Sequence, residues 1–372
     1  MKPRVLLLST SLGMGGADRQ ILYLAHALLA QDHEVRLVSM TPPEEMGRRA
    51  IGEGLPITSL DMQRGHAEWG AFRRLVAFLQ DWRPHVLTSF MYHANLLGRL
   101  AGRWTRVPLI VTSIRSERNG SALRDRFMRM TNWMDDCRTT NSLEVANSLQ
   151  ERAVLPRDAV RVIPNGIDVD ALTVPPEERA RIRSEMGLSA TEFLWLAIGR
   201  LTPQKDYPTL LQAFPSVAAG PARLWIAGRG PEQPALQQQA DRLGIASRVT
   251  FLGVRHDIAA LLAAADGFVL SSGWEGMPNV VMEALAAGVP VVATRVGGVS
   301  ELVTDGSGIL VPAQDPGALA QAMQKLMSLP IEERRRMGLR GRDHVTAHYS
   351  LKSMADRWIA LYRELLIKKE LV

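Results

Sequence analysis

A single cysteine, Cys137, stands in 372 residues. One thiol makes no disulfide framework and no thiolate metal cluster, which excludes the stapled extracellular scaffolds and points to a reducing compartment. No apolar run reaches the roughly 18 to 20 residues a spanning helix needs. The opening Met1-Lys2-Pro3-Arg4 supplies a positive flank, but the apolar stretch behind it stops at Ser9 and enters a glycine loop. It therefore reads as a strand rather than an export signal. Aromatic residues make up 6% of the chain, with little interleaving among the basic ones and no recognisable binding module, which argues against nucleic acid as a partner. Internal repeats and low-complexity tracts are missing too. The expectation is a cytoplasmic protein, either in solution or peripheral on the inner face of the cytoplasmic membrane.

What is present is an alternation of short aliphatic runs with helical stretches, the pattern of parallel α/β units. The predicted strands of the first half are Val5 to Ser9, Val35 to Val38, Val86 to Ser89, Leu109 to Thr112 and Arg138 to Thr140. Those of the second are Phe193 to Ile198, Leu224 to Ala227, Val249 to Leu252, Gly267 to Leu270, Val289 to Ala293 and Gly308 to Val311. The length exceeds one ordinary core, so two domains are expected, each a doubly wound sheet. Their boundary is predicted just after Val162-Ile163-Pro164-Asn165-Gly166, where proline and glycine punctuate the chain. From Leu351 to about Leu366, the residues Met354, Trp358, Leu361, Tyr362 and Leu365 fall at helical spacing.

Two loops of the second half carry the chemistry. Gly199 ends the Phe193 to Ile198 run, and Arg200 through Pro208 lead into a helical pattern at Thr209 to Phe214. At the carboxyl end of a parallel strand, the next helix offers free N–H groups, and Arg200 with Lys205 add a planar fork and a point charge, a field that fits a diphosphate. Taken alone, the two read first as a pair of solvated cations beside a turn, and the loop needs a partner. The second loop, Ser271 to Pro278, contains Glu275; Asn279 is expected to cap a helix from Val280 through Ala287, and Glu283 lies one turn into it. Side chains of a helix lean toward its N-terminus, so both carboxylates can face one crevice and accept hydrogen bonds from hydroxyls.

Gly199-Arg200-Leu201 with Lys205-Asp206, then Glu275-Gly276-Met277-Pro278-Asn279 and Glu283-Ala284, resemble the retaining GT-B glycosyltransferases of family 4. The likeness extends to Gly15-Gly16, Val162 to Asp168, Ala227-Gly228 with Gly230-Pro231-Glu232, and Gly297-Gly298 with Glu301. It implies two Rossmann-like domains facing a central cleft: residues 1–167 for the acceptor, 168–350 for the nucleotide sugar, and a helix over 351–372 packing back on the first. It implies that Arg200 and Lys205 grip the diphosphate, that Glu283 binds the ribose hydroxyls, and that Glu275 lies beside the donor sugar within the Gly276, Met277, Pro278 and Asn279 loop. Gly15 and Gly16 would let backbone approach the diphosphate, glycine having no Cβ to block it. A loop with Val254, Arg255 and Asp257 would meet the base, with UDP as the commonest choice. Same-face attack with retention is implied, with no cofactor; fixed positive charge at the leaving group makes a metal chemically unnecessary.

His93 follows Val86 to Tyr92 just past a strand's carboxyl edge, where sites of open α/β sheets gather. The resemblance sets it against the donor sugar; a structural histidine satisfied by its neighbours fits the sequence nearly as well. Arg115, at a similar edge, is the candidate for an acceptor phosphate. The net charge is +6 and the sequence pI about 9.7. Between Arg99 and Arg129, the residues Arg99, Arg103, Arg106, Arg115, Arg118, Arg124, Arg126 and Arg129 stand against Glu117 and Asp125. Such an excess suits an anionic membrane or a lipid-diphosphate acceptor, as well as a plain solvated surface. Asp135-Asp136 lack the further acid a metal site needs and read as a strand start. Asn119-Gly120-Ser121 is a glycan acceptor only in exported chains. The leading expectation is a sugar transfer from a nucleotide diphosphate donor to a lipid-linked or polysaccharide acceptor of the cell envelope. Two others stay open: an NAD-dependent oxidoreductase, whose fingerprint Gly13-Met14-Gly15-Gly16 misses by spacing, and a non-catalytic nucleotide-sugar-binding protein.

Overall fold

The computed structural model describes residues 2–13, 15–63, 68–116, 121–156, 160–189 and 191–370. Met14, Glu117, Arg118 and the Asn119-Gly120 pair, which figure in the readings above, lie outside them. The chain divides into two compact units, Met1–Gly166 with Leu351–Val372, and Ile167–Ser350.

Among the described residues, the first unit holds a seven-stranded sheet and the second a six-stranded one, every pair parallel. The strands are β1 (Val5–Ser9), β2 (Val35–Ser39), β3 (Ile57–Ser59), β4 (Val86–Phe90), β5 (Leu109–Ile114), β6 (Cys137–Thr140) and β7 (Val160–Val162), then β8 (Phe193–Ile198), β9 (Ala222–Ala227), β10 (Val249–Gly253), β11 (Gly267–Leu270), β12 (Val291–Thr294) and β13 (Gly308–Val311). Their spatial orders are β3-β2-β1-β4-β5-β6-β7 and β10-β9-β8-β11-β12-β13. Each sheet is doubly wound, as the alternation predicted. The order reverses between β1 and β4 in one unit and between β8 and β11 in the other. These are the switch points outside whose carboxyl ends open sheets build their sites.

Continuous apolar runs make the central strands because both faces are covered. In β1, Val5 and Leu7 enter one core with Ile21, Leu24 and Phe90, while Leu6 and Leu8 enter the opposite one with Leu75 and Ile110. In β8, Leu194 and Leu196 face one core, and Phe193, Trp195 and Ala197 the other. This is the two-residue period of a strand buried on both sides. The edge strands β3 and β7 went unread in the sequence. Each has three residues with one side chain turned to solvent, too short and too polar to register, and β7 ends at Val162, where the predicted boundary stretch Val162 to Gly166 starts.

Helix Leu351–Lys368 belongs to the first unit: Met354, Trp358, Leu361 and Tyr362 sit in the core of β1, and the Tyr362 hydroxyl lies 2.8 Å from that of Thr88. No helix among the described residues is long and apolar enough to cross a membrane.

Candidate functional site

Arg200, Lys205, Glu275 and Glu283 all stand on the second unit, at the carboxyl ends of the neighbouring strands β8 and β11. After β8 the chain passes Arg200, makes a single turn at Pro203–Lys205, and enters helix Tyr207–Val217 through Asp206. Asp206 caps that helix from a left-handed conformation, its carboxylate accepting from the Thr209 amide and hydroxyl. The cap fixes where the preceding residue, Lys205, points.

Lys205 Nζ lies 2.5 Å from Glu275 Oε1, and the Ser272 hydroxyl donates to the same oxygen at 2.7 Å. Gln204 Nε2 reaches the other carboxylate oxygen at 3.4 Å. The two loops are also laced by backbone: the Gly273 amide donates to the Gln204 carbonyl, and the Ser271 hydroxyl to that of Lys205. Glu275 is thus a buried carboxylate with three donors, which is what keeps a charge tolerable out of water. Arg200, by contrast, is exposed, and its guanidinium has no hydrogen-bond or ion-pair partner among the described residues.

The glycines hold this edge together. A Cβ on Gly228 would sit 2.0 Å from the Gly199 carbonyl oxygen, so the loop after β9 supports the loop that carries Arg200 at a distance only glycine permits. Gly297 takes φ +51°, and its Cβ would come 2.3 Å from the Glu275 carbonyl oxygen, while the Gly298 amide donates to the Gly276 carbonyl at 2.6 Å. Met277 is buried, Pro278 is the cap position, and helix Asn279–Ala286 starts there. Asn279 is therefore the first helical residue and not the cap expected of it, because Pro278 already holds the extended pre-helical backbone. Glu283 is 3% exposed on that helix. Val254 follows β10, beside Arg255 and Asp257, which pair with each other at 2.8 Å.

The other candidates lie on the first unit. Gly15 is the cap of helix Gly16–Leu29, and the loop closes on an acid that the sequence reading passed over: Asp18 accepts from the amides of Gly13 at 3.1 Å and Gly15 at 3.2 Å. A carboxylate at the third helical position that reaches back to the cap amide is half of a capping box, and glycine at the cap leaves the other half empty. Burial raises the Asp18 carboxyl to about 6, against the opposing pull of those amides. A carboxyl held above its ordinary 3.8 favours the folded state below that value, and the advantage is lost as pH rises through about 6. Urea unfolding is expected to show Asp18→Asn gaining on the wild type by up to about 3 kcal/mol between about pH 4 and pH 7. A difference independent of pH contradicts it.

His93 is the second residue of helix Tyr92–Trp104, exposed at the carboxyl end of β4. The residue that caps this helix, Met91, has φ +74° and ψ 161°, a region nearly reserved for glycine, and strain of that kind collects at functional edges. Partial desolvation of the ring, reinforced by the Arg124 charge, lowers the His93 pKa below its ordinary 6.5, leaving a neutral imidazole near pH 7. Arg115 turns inward: it is 8% exposed, donates to Asn165 Oδ1 at 2.8 Å and lies 5.0 Å from the Phe90 ring centroid. Its reach toward any acceptor is limited by that burial.

Arg99 leaves the basic surface to which its sequence neighbours assigned it. Fully buried, it pairs with Asp135 at 2.5 Å and also donates to the Met128 carbonyl and Thr131. Asp135 is further held by Arg138, and Asp136 accepts from the Ile110 amide. Both acids are thereby accounted for as parts of the fold. No cluster of three potential metal ligands occurs among the described residues.

A family model described as Glycosyl transferases group 1 matches residues 192–328, and one described as Glycosyltransferase Family 4 matches residues 14–171. Lipopolysaccharide core biosynthesis glycosyltransferase LpsD of Rhizobium meliloti is 28% identical over 353 residues, 94% of this chain and 95% of its own. D-inositol 3-phosphate glycosyltransferase of Corynebacterium urealyticum is 31% identical over 314 residues, 76% of this chain and 73% of its own. Among solved structures, Anabaena HepE in complex with UDP and glucose superposes with a TM-score of 0.87 at 21% identity, covering 97% of this chain and 100% of that one. That likeness bears on architecture, and the architecture is GT-B. Paired switch-point sheets, the laced Arg200 and Glu275 loops, and these relatives agree, and the chain belongs to the group 1, family 4 glycosyltransferases.

Proposed function

We propose that this glycosyltransferase moves a sugar from a UDP-sugar to a hydroxyl of a lipid-linked or polysaccharide acceptor in cell-envelope glycan synthesis, with retention at the anomeric carbon. The observation that carries the donor reading is the Lys205–Glu275 pair at the β8/β11 switch point, with the Arg200 guanidinium exposed at the same edge. Arg200 grips the diphosphate as a planar fork and Lys205 as a point charge; an ammonium has three donors, so it can keep Glu275 and add a phosphate oxygen. Fixed positive charge there stabilises the departing diphosphate without requiring a metal. Glu275 orients the sugar rather than attacking it, since its oxygens are already engaged by Ser272, Gln204 and Lys205. Glu283 takes the ribose hydroxyls, the Gly276 to Asn279 backbone flanks the sugar, and Val254 meets the base through its main chain.

On the first unit, His93 is assigned to the donor sugar and Gly15 with Gly16 to close backbone approach. Arg115 is retained on the acceptor side as a charge behind Asn165 rather than as a direct contact. The leaving phosphate helps remove the acceptor proton as the hydroxyl attacks on the same face. LpsD, named for lipopolysaccharide core biosynthesis, and HepE, solved with UDP, support the acceptor class and the base. The protein is proposed to work at the inner face of the cytoplasmic membrane, where its acceptor would be held.

Incubation with a panel of UDP-, GDP- and ADP-sugars tests the reading: hydrolysis of UDP-sugars in preference to the others supports it, and preference for another base overturns the UDP assignment. Binding without hydrolysis or transfer would favour a sensor. A neutral His93 also predicts that the acid limb of the pH–rate profile lies below 6.5, and that His93→Gln flattens it. A limb that survives this substitution belongs to another group.

A further inference from the structure

We propose that one face of the first unit, built from helices Trp69–Trp82, Tyr92–Trp104 and Ala122–Met130, docks on an anionic lipid bilayer. This rests on the membrane-side reading above and specifies the surface responsible. Three tryptophans stand out into solvent there: Trp69 is 74% exposed, Trp104 72% and Trp133 70%. Large aromatic side chains are rarely left so bare, and indole rings are enriched where water meets lipid headgroups.

Helix Ala122–Met130 gives the clearest pattern. Its apolar contact with the fold is Met128, whereas Leu123, Phe127 and Met130, spaced by four and three residues, are exposed along one stripe. A core-facing helix would bury that stripe. Arg124 flanks it on one side and Arg126 and Arg129 on the other, an apolar ridge between cations that is the layout of a helix lying in a membrane interface. Their aliphatic stems can follow the ridge into the headgroup layer while the guanidinium ends stay at phosphate depth.

The face is continuous and rigidly presented. Trp69 and Trp104 line one hollow with Arg73 and Val76. Leu100, also exposed, precedes Trp104 by one turn. Arg103 donates to the Met134 carbonyl and approaches that of Trp133. Beneath them the buried Arg99 holds the Met128 carbonyl, Thr131 and Asn132, so the ridge and Trp133 are fastened to helix Tyr92–Trp104. A buried guanidinium that serves no sugar chemistry thus acquires a positioning role.

Charge selects the occupant. Asp125 is paired with Arg152, and Asp136 with Arg103 and Lys369, which leaves Asp81 as the exposed acid of helix Trp69–Trp82. Arg73, Arg106, Arg126 and Arg129 are exposed with no ion-pair partner among the described residues. Protruding single aromatics among uncompensated arginines suit a fluid anionic surface, which can reshape around each ring.

Co-sedimentation of the whole chain with vesicles of phosphatidylcholine, alone or mixed with phosphatidylglycerol, tests this. Binding is expected to the mixed vesicles, to weaken with salt, and to fall about 30-fold at low salt in Arg126→Ala/Arg129→Ala, equivalent to about 2 kcal/mol for two surface arginines. Trp104→Ser/Trp133→Ser should weaken it too. Both variants should hydrolyse UDP-sugar like the wild type, which separates a failed docking surface from a failed donor reading. Equal binding to neutral vesicles, or mixed-vesicle binding that neither variant weakens, overturns the proposal. So does light scattering that shows a dimer dissolved by the tryptophan changes while vesicle binding persists, since a second copy would then cover the face.

Discussion

Replacing Lys205 with Ala is expected to lower kcat by about 10²- to 10³-fold, the loss that follows removal of one preorganised charge donor at a developing oxyanion. The fold should pay a smaller toll, at most about 3 kcal/mol, because Glu275 would keep two of its donors after losing its ammonium. Stability and turnover can be told apart with a second change. Adding Glu275→Gln removes the stranded negative charge, so Lys205→Ala/Glu275→Gln should regain stability in urea titration yet stay as slow as the single variant or slower. Recovery of turnover together with stability would mean that the lysine acts through folding alone. The stability cost comes from the pair's burial, with side chains 15% and 7% exposed.

Gly297→Ala should be among the most damaging changes that add only a methyl group. The left-handed backbone at φ +51° costs a residue with a Cβ about 1 to 2 kcal/mol. Contact with the Glu275 carbonyl adds an overpacking cost of about 1 to 3 kcal/mol. The relief available is to push the Glu275 loop away, so UDP-sugar binding should weaken along with stability. Urea unfolding and UDP calorimetry on one preparation read both. A change within about 0.5 kcal/mol, ordinary for an indifferent surface site, would show that the two loops are not locked as described.

The fold was legible because the central strands are buried on both faces, which forces runs such as Val5 to Leu8 and Phe193 to Ile198. Edge strands carry no such requirement, and β3 and β7 left no trace that could be told from a linker. At the candidate site, the placement of Arg200, Lys205, Glu275 and Glu283 on the loops and helix after β8 and β11 was legible from residue type and strand ends. What binds them was not. Ser272 and Gln204 matter through hydrogen bonds whose partners lie 3 and 71 positions away, and only the three-residue spacing of Ser272 from Glu275 offered a local clue. Asp18 sits at the third helical position after a glycine cap, a signal within reach of the capping rules that had been read only for its glycines. Arg99 was illegible in another way. Charge says nothing about burial until a partner is known, and its partner Asp135 is 36 residues distant.

The diphosphate grip is tested most directly by calorimetric binding of UDP and of uridine to the wild type and to Arg200→Ala/Lys205→Ala. If the two cations hold the phosphates, UDP should bind the wild type about 10²-fold or more above uridine, at about 1.5 to 3 kcal/mol for each charge-assisted contact, and the double variant should lose most of that margin while keeping its uridine affinity. An undiminished preference for UDP in the double variant would contradict it.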